Sequence, residues 1–342
     1  MNFLVLRRER KSGIELLRII AMFLVLVVHA SFSSVGEPTY NDIIQSSFSS
    51  YTRFFFQSLS IGCVDIFVII TGWFGIRPKR ESFFNFTFQC LFFLFGIYAF
   101  CLATGLASFS IKGIAECLLF RGTWFVKAYL LLYILAPLLN AFIDSASERQ
   151  HRMLLIYFFS FQIIYSWASF AVTFFEQGYS TMSFIGLYLL ARYFSIYKPK
   201  IGNYNKNYYL AFFFMSVILL ATTSFLTRRF QIEAVAGRIL GYDQPLVIAS
   251  SFSLVLYFNK LDFQNAVINS IAVSSFAVYL LHSNPNFFVQ YYIPTIKSIY
   301  NSYNGIICLG EILLFLLFVF TLAILIDKIR IWLWLYFHKL AI

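Results

Sequence analysis

The sequence predicts an all-α, polytopic integral membrane protein of about ten transmembrane helices. Of its 342 residues, 60% are hydrophobic and only 12% are charged, about half the charged share of an ordinary soluble domain. Apolar runs of about 20 residues, the length of a helix that crosses a bilayer, recur along the whole chain. This composition excludes a water-soluble domain, and the 44 Phe and 22 Tyr residues exclude a disordered chain.

Ten apolar runs are the candidate membrane spans. The run at 245–258 is short, so we expect it to tilt or to be partly re-entrant. The segment 112–120 is too short to cross and is expected to form a short interfacial helix. The predicted spans cover residues 14–32, 53–74, 83–107, 124–143, 153–174, 181–196, 208–226, 245–258, 266–290 and 305–326.

The basic residues indicate the orientation of the chain. Lys and Arg number 26 against 15 Asp and Glu, which gives a net charge of +11. With the N-terminus inside, the cytoplasmic segments carry more than twice as many basic residues as the outer segments, as the positive-inside rule requires. This predicts cytoplasmic termini in a multi-pass membrane protein, and no nucleic-acid partner is needed to explain the charge.

The domain prediction is a single transmembrane domain over 1–342, with a basic cytoplasmic segment at 1–12 and a cytoplasmic tail at 327–342. The basic residues before the first apolar run resemble a signal peptide. However, this run is longer than a signal-peptide core and no small-residue cleavage site follows it, so we predict a retained first helix. The five cysteines form no C-x-x-C pair and are interpreted as buried hydrophobic residues.

The first predicted helix carries three ionisable residues, Glu15, Arg18 and His29. Eleven residues separate Arg18 from His29, which places both on one helix face, about 20° apart in direction and about 16 Å apart along the axis. Glu15 can pair with Arg18 at i,i+3. A guanidinium suits an anionic ligand such as phosphate, and an imidazole suits proton transfer. The alternative is that Arg18 reaches the headgroups and His29 lies at the outer interface.

The second span contains an acid, Asp65, inside an apolar run. It needs a partner such as Arg18, His29 or Lys127, or a proton. The pair Thr71-Gly72 interrupts the same run with small residues. Such residues favour either tight helix packing or a close approach of the backbone to a ligand.

Further polar and aromatic residues lie in the fourth and ninth spans. Trp124 and Tyr129 are either interfacial aromatic residues or part of a site, whereas Lys127 lies at the depth of a span. Tyr279 and His282 place a second histidine in the middle of the ninth span. Because no H-x-x-x-H or H-E-x-x-H spacing occurs, no metal site is predicted, and the absence of P-loop, G-x-S-x-G and G-x-G-x-x-G motifs leaves those chemistries unsupported.

Four segments in order resemble the motifs of one membrane enzyme family. Residues 14–21 followed by His29 resemble an R-x10-H helix, and residues 65–74 resemble D-x-F-F-x-x-S-G-F. Residues 124–140 resemble a W-F-x-x-x-Y helix, and residues 276–282 resemble F-G-I-Y-L-x-H. This combination resembles the acyltransferase-3 family of membrane acyltransferases. The chain departs from the family pattern at Thr71, where Ser is usual, and at Ala277, where Gly is usual.

The resemblance implies about ten helices in the cytoplasmic membrane of a bacterial cell. It also implies transfer of an acyl group, commonly acetyl from acetyl-CoA, to hydroxyls of surface polysaccharides or lipid-linked glycans. Acetyl-CoA is then a donor substrate, and no bound cofactor is expected. The resemblance makes His29 and Arg18 the catalytic residues and implies a stand-alone form without the family's SGNH hydrolase-like domain. The predicted substrate- and donor-binding residues are Glu15, Asp65, Thr71, Trp124, Lys127, Tyr129, Tyr279 and His282.

Two other function classes remain open at the sequence level. Buried charged residues also line the conduit of a transporter or a glycan flippase, and a non-catalytic membrane partner would need none of them. An acyltransferase consumes acetyl-CoA and releases free thiol, which a flippase does not. The sequence leaves open the acceptor glycan, acetyl against succinyl transfer, a covalent acyl-histidine against direct transfer, and the oligomeric state.

Overall fold

The computed structural model describes residues 10–169 and 174–340, with side chains in the last helix described to residue 336. The described residues form helices and the turns between them, without a strand, so the predicted all-α class is confirmed. The α-helices are α1 Ser12–Val28, α2 Tyr40–Gln45, α3 Ser47–Ser60, α4 Cys63–Phe74, α5 Arg80–Ala103, α6 Ile111–Leu118, α7 Trp124–Ser145, α8 Glu148–Gln162, α9 Thr181–Tyr197, α10 Lys206–Arg229, α11 Glu233–Ala236, α12 Pro245–Asn259, α13 Ala266–Ser274, α14 Phe276–His282, α15 Pro285–Phe287, α16 Ile293–Ser302 and α17 Gly305–Leu340.

Membrane-spanning length is reached by six helical stretches of the described chain, and by seven if one bent pair is counted as a span. The number of ten spans and the cytoplasmic termini therefore stay predictions. The 15 residues of α12 rise only about 22 Å, less than the hydrocarbon core of about 30 Å. The six stretches are Ser12–Val35, Ser47–Phe74, Arg80–Ala103, Trp124–Ser145, Lys206–Arg229 and Gly305–Tyr336.

The ninth predicted span, 266–290, is interrupted rather than continuous. Helix α14 ends at His282, and the chain bends by 63° between Ala266–His282 and Pro285–Ser302. Pro285 begins the next helical turn, where its missing N–H costs nothing, and the Asn284 side chain caps that turn. The break places His282 at the end of a helix instead of in its middle.

Helix α4 lies at the centre of the bundle and packs against α1, α9 and α12. Gly72 makes the contact with α9 possible, because a Cβ atom there would lie 2.7 Å from the Tyr188 carbonyl oxygen and 2.8 Å from the Ala191 Cβ. Gly62 likewise allows a close contact with α12, because a Cβ atom there would collide with Ser251. Ser251 Oγ also donates to the Gly62 carbonyl at 3.1 Å. The packing interpretation of Thr71-Gly72 therefore holds for the glycine.

Helix α17 runs without interruption through the first part of the predicted tail, 327–342. Asp327 and Arg330 are buried there and form a salt bridge at 2.8 Å. Gln89 donates to Asp327 at 2.9 Å and Arg330 donates to Asn85 at 2.8 Å, which ties α17 to α5. Residues 1–9 of the predicted basic segment, and 170–173 of the fifth predicted span, lie outside the described residues.

Candidate active site

His29 lies at the point where the first helix changes its geometry. Regular α-helix ends at Val28, and residues His29–Val35 form a π-helical turn that ends at Gly36, whose φ is +88°. Such wider turns are rare and occur often at functional sites. His29 is the first residue of this turn, and its ring contacts His282 and Phe288 inside the bundle.

An apolar cavity of about 290 Å³ opens beside His29. This volume lies at the lower end of the range of small-molecule sites. Of the predicted site residues, His29, Trp124 and Tyr279 line it, and Arg18 does not. The remaining walls are Met22, Val25, Val28, Phe32, Ser33, Ile61, Val64, Phe67, Phe125, Tyr179, Leu240, Tyr242 and Phe276.

Three aromatic rings form one wall of this cavity. Trp124 lies 4.7 Å from Tyr179 and 6.3 Å from Tyr242 between ring centroids, and the two tyrosines are 4.8 Å apart. A Cβ atom at Gly178 would lie 2.3 Å from the Tyr242 Cβ, so the two loops that carry the tyrosines meet only because of that glycine. Sequence reasoning missed Tyr179 and Tyr242, because they stand in loops without helical periodicity.

His29 and His282 form a hydrogen-bonded pair across 253 residues of sequence. The Nδ1 atom of His29 lies 2.8 Å from Nε2 of His282. The Nδ1 atom of His282 lies 2.5 Å from the Val278 carbonyl oxygen, and Ser283 Oγ lies 3.2 Å from its Nε2. His282 is completely buried, whereas His29 is partly accessible from the cavity. The structure thus brings together the two histidines that the sequence singled out.

Aromatic rings hold this histidine pair in place. The Phe288 ring meets His29 at a centroid distance of 5.3 Å, and Tyr292 lies 5.4 Å from His282. The Tyr292 hydroxyl donates to the Leu26 carbonyl of α1 at 2.6 Å. The segment that follows the helix break therefore packs directly on the end of α1.

A second polar group lies nearer the N-terminal end of α1. Arg18 lies 3.6 Å from Glu15, which confirms the predicted i,i+3 pair, and its side chain is 34% exposed. The Tyr129 hydroxyl lies beside Thr71 and within electrostatic range of Arg18. The Tyr129 ring stacks on Phe125, a residue of the cavity wall, at 5.9 Å. Tyr129 therefore lies between the Arg18 group and the His29 cavity.

Two predicted site residues lie elsewhere. Lys127 is exposed on the first turns of α7 and does not line the cavity, because a helix that is apolar on most sides gives little indication of which face turns inward. Asp65 is buried, but its electrostatic neighbour is Asp243 rather than Arg18, His29 or Lys127. Within the described part of the chain, its Oδ2 atom has no hydrogen-bond partner.

Asp243 lies in the loop before α12, next to the aromatic wall. Ser166 donates a hydrogen bond to its carboxylate. Burial nevertheless raises the pKa of Asp243, because removal from water penalises the charged form. Asp243 acts electrostatically on Asp65, and within the described residues neither carboxylate forms an ion pair with Arg18.

The Gly122 turn joins the aromatic wall to the helix break. Gly122 has a φ of +79°, and a Cβ atom there would lie 2.3 Å from Pro285 Cγ. The start of α7, which carries Trp124, therefore touches the break that follows His282. The assembled site offers a partly accessible imidazole in an apolar cavity, and a guanidinium about 16 Å away along the same helix.

Comparison with known proteins gave one match. The acyltransferase-3 family model, whose description is "Acyltransferase domain", matches residues 11–328, nearly the whole chain. Among curated proteins and among solved structures, nothing matches.

Proposed function

Because the chain belongs to the acyltransferase-3 family, we propose that it is a membrane O-acetyltransferase. It moves an acetyl group from acetyl-CoA on the cytoplasmic side to a hydroxyl of a cell-surface or lipid-linked glycan. The observation that supports this most is the position of His29 in the wall of the aromatic cavity, with Arg18 about 16 Å away on the same helix.

The donor is proposed to bind at the Arg18 end of the bundle. Its phosphates suit a guanidinium, which presents several N–H donors in a fixed plane. The loop that carries Arg77 is tied to α9 and α7, since the Ile76 N–H donates to Tyr188 at 3.1 Å and Asn140 donates to the Ile76 carbonyl at 2.8 Å. From there the thioester arm would extend past Tyr129 towards His29, between α1 and α7.

The acceptor is proposed to enter from the side of Tyr179, whose side chain is 43% exposed at the margin of the cavity. Trp124, Tyr179 and Tyr242 present flat apolar faces with polar edges, which suit the C–H faces and hydroxyls of a sugar ring. The cavity volume of about 290 Å³ admits part of a saccharide and excludes a folded partner. The bilayer would present a lipid-linked acceptor at this depth.

His29 is proposed to act as general base on the acceptor hydroxyl. Proton removal by a positioned side chain typically contributes 10²- to 10⁴-fold to a rate. Direct transfer needs the thioester and the hydroxyl in the cavity together, whereas a covalent acyl-histidine would let them come in turn. Accumulation of an acylated protein after mixing with acetyl-CoA alone distinguishes the two routes.

The test is substitution of His29 by Ala in the full chain. We expect loss of O-acetylation of the surface glycan, measured by mass spectrometry, with unchanged insertion and abundance in the membrane. The matched control is His151→Ala, which removes a buried imidazole whose ring contacts Phe142 and Tyr193 away from the cavity. Full activity of the His29 variant would refute the catalytic assignment.

A second measurement separates the enzyme from a transporter or flippase. Membranes that contain the protein and its acceptor should consume acetyl-CoA and release free thiol. The His29→Ala membranes should release thiol no faster than membranes without the protein. Glycan movement without thiol release would favour the transport alternative.

A further inference from the structure

We infer that His282 is a positioning residue that sets the tautomer of His29, so that Nε2 of His29 is the proton acceptor. This inference rests on the proposed function for its consequence, but its geometry stands independently. It follows from two successive hydrogen bonds that begin at a backbone carbonyl, and from the ring nitrogen of His29 that is left without one.

The first contact fixes the proton on His282. The Val278 carbonyl oxygen lies 2.5 Å from His282 Nδ1. A carbonyl oxygen can only accept, so the ring nitrogen must be the donor and must carry the hydrogen. The bond is local, from residue 282 back to residue 278 on the same helix, so it persists as long as α14 is formed.

The second contact determines which ring nitrogen of His29 carries the hydrogen. A neutral imidazole with its hydrogen on Nδ1 has only a lone pair on Nε2. At 2.8 Å, Nε2 of His282 therefore accepts from Nδ1 of His29, which must carry a hydrogen. Ser283 Oγ, at 3.2 Å from the same Nε2, is the longer and weaker competitor.

A cationic His282 would reverse this assignment, and its surroundings oppose that state. The residue is completely buried. In the part of the chain that the structure describes, neither His29 nor His282 forms an ion pair with a carboxylate. A buried charge without a partner is strongly disfavoured. The neutral tautomer therefore prevails on His282.

The remaining ring nitrogen, Nε2 of His29, has no hydrogen-bond partner among the described residues. With its hydrogen on Nδ1, neutral His29 carries a lone pair on Nε2, and His29 lines the cavity. The Phe288 ring against His29 restricts rotation of the imidazole. The lone pair on His29 Nε2 is therefore available to accept a proton from a hydroxyl in the cavity.

This tautomer of His29 fits direct transfer of the acetyl group from the thioester to the acceptor hydroxyl. The acceptor oxygen attacks the carbonyl carbon of the thioester while its proton moves to His29 Nε2. The carbon–sulfur bond breaks, and the thiolate takes that proton from Nε2, which yields the ester and free CoA thiol. The Nδ1 hydrogen stays in the bond to His282 throughout and stabilises the transient imidazolium, as an orienting partner does in hydrolase triads.

The direct test is the tautomer of His29 in the purified full chain, measured by NMR with isotope-labelled histidine. The chain has four histidines, so single substitutions assign every signal. We expect hydrogen on Nδ1 for both His29 and His282. In His282→Phe, the His29 signal should move towards the Nε2-protonated form. Wild-type His29 with hydrogen on Nε2 would overturn the inference, whatever its activity.

The kinetic test compares two replacements of His282 in membranes supplied with acetyl-CoA. Phe keeps the ring volume and removes the acceptor atom, so kcat should fall about 100-fold or more, with the KM for acetyl-CoA unchanged. Gln places an amide oxygen near the position of Nε2, so it should keep activity within about tenfold of wild type. Equal loss in both variants would assign His282 a purely structural role and overturn the inference.

One control variant accompanies this series, and two outcomes separate the positioning role from the proposed function. His151→Phe makes the same replacement at a buried histidine of α8, which bonds the Leu189 carbonyl at 3.1 Å, and should leave kcat unchanged. If all His282 variants keep their His29 tautomers while His29→Ala is inactive, the positioning role fails and the proposed function survives. If the tautomers shift as expected while His29→Ala stays active, the geometry holds and the proposed function fails.

Discussion

The two ends of the first helix differ in almost every physical respect. At the N-terminal end, Arg18 is a permanent charge, one-third exposed and paired with Glu15. At the other end, His29 faces an apolar cavity, and its ring is hydrogen-bonded to a second, completely buried histidine. A solvated cation recognises an anion at low cost, whereas an enclosed imidazole can exchange protons without competition from water. Under the proposed function, this difference separates donor binding from proton transfer along one helix.

The largest expected effect concerns the cavity end. His29→Gln keeps a hydrogen-bonding side chain but has no basic nitrogen, so kcat should fall about 10²- to 10⁴-fold with an unchanged KM for acetyl-CoA. The measurement is incorporation of radiolabelled acetyl groups by membranes at matched protein abundance. A rise in KM without a fall in kcat would show that His29 binds the donor and would erase the contrast between the two ends.

The next effect concerns the charged end. Arg18→Gln should raise the KM for acetyl-CoA about tenfold or more, because one charge-assisted contact to phosphate is lost, and should change kcat far less. Arg18→Lys should give a smaller rise, since it keeps the charge and loses the planar geometry. Arg121→Gln, in an exposed ion pair with Glu116, is the matched control. A fall in kcat alone would contradict the division of roles.

A smaller effect is expected at the aromatic wall. Tyr179→Ala removes the most exposed of the three rings and should lower acetylation of the glycan about three- to tenfold, with the KM for acetyl-CoA unchanged. Tyr179→Phe should retain most of the activity. Tyr157→Ala, at another exposed tyrosine of the bundle, should have no effect. A changed donor KM in Tyr179→Ala would place the donor, rather than the acceptor, at this wall.

The smallest expected effect concerns the first turn of α2, which follows the His29 turn in the chain. The Thr39 N–H donates to Asp42 at 2.8 Å, and this bond lowers the pKa of the Asp42 carboxyl. The resulting stability is present above the ordinary value of 3.8 and is lost as the pH falls through the lowered pKa. Because the Asp42 side chain is 40% exposed, we expect only about a few tenths of a kcal/mol. Thermal unfolding of Asp42→Asn should show less acid sensitivity than wild type, and equal sensitivity would contradict the assignment.

Local features of the site could be predicted from the sequence. The Glu15–Arg18 pair depends only on helical spacing, and the start of α7 at Trp124 follows from the turn before an apolar run. The contact of His29 with His282 could not be derived in this way, because helical periodicity contains no information about residues 253 positions apart. The family resemblance matched each histidine to a motif but did not predict their contact.

The misplacements have a common physical origin. In a bilayer, apolar residues face both lipid and protein, so the hydrophobic pattern does not mark the inner face of a helix. Lys127 was therefore assigned to the interior, although it is exposed. Asp65 was expected to have either a cationic partner or a proton, and the charged group that acts on it is Asp243, in a loop that lies far away in sequence. Tyr179 and Tyr242 had no periodic signal at all.

The contact between Gly122 and Pro285 has a consequence for how mutations can alter the proposed acceptor specificity of this protein. The aromatic wall and the segment that follows His282 meet at this point, where a Cβ atom at residue 122 would collide with Pro285. A mutation that widens the space for a bulkier sugar by moving the start of α7 would also displace the segment after His282. New acceptor preferences are therefore expected to arise more readily in the Tyr179 and Tyr242 loops, which can vary without disturbing the histidines.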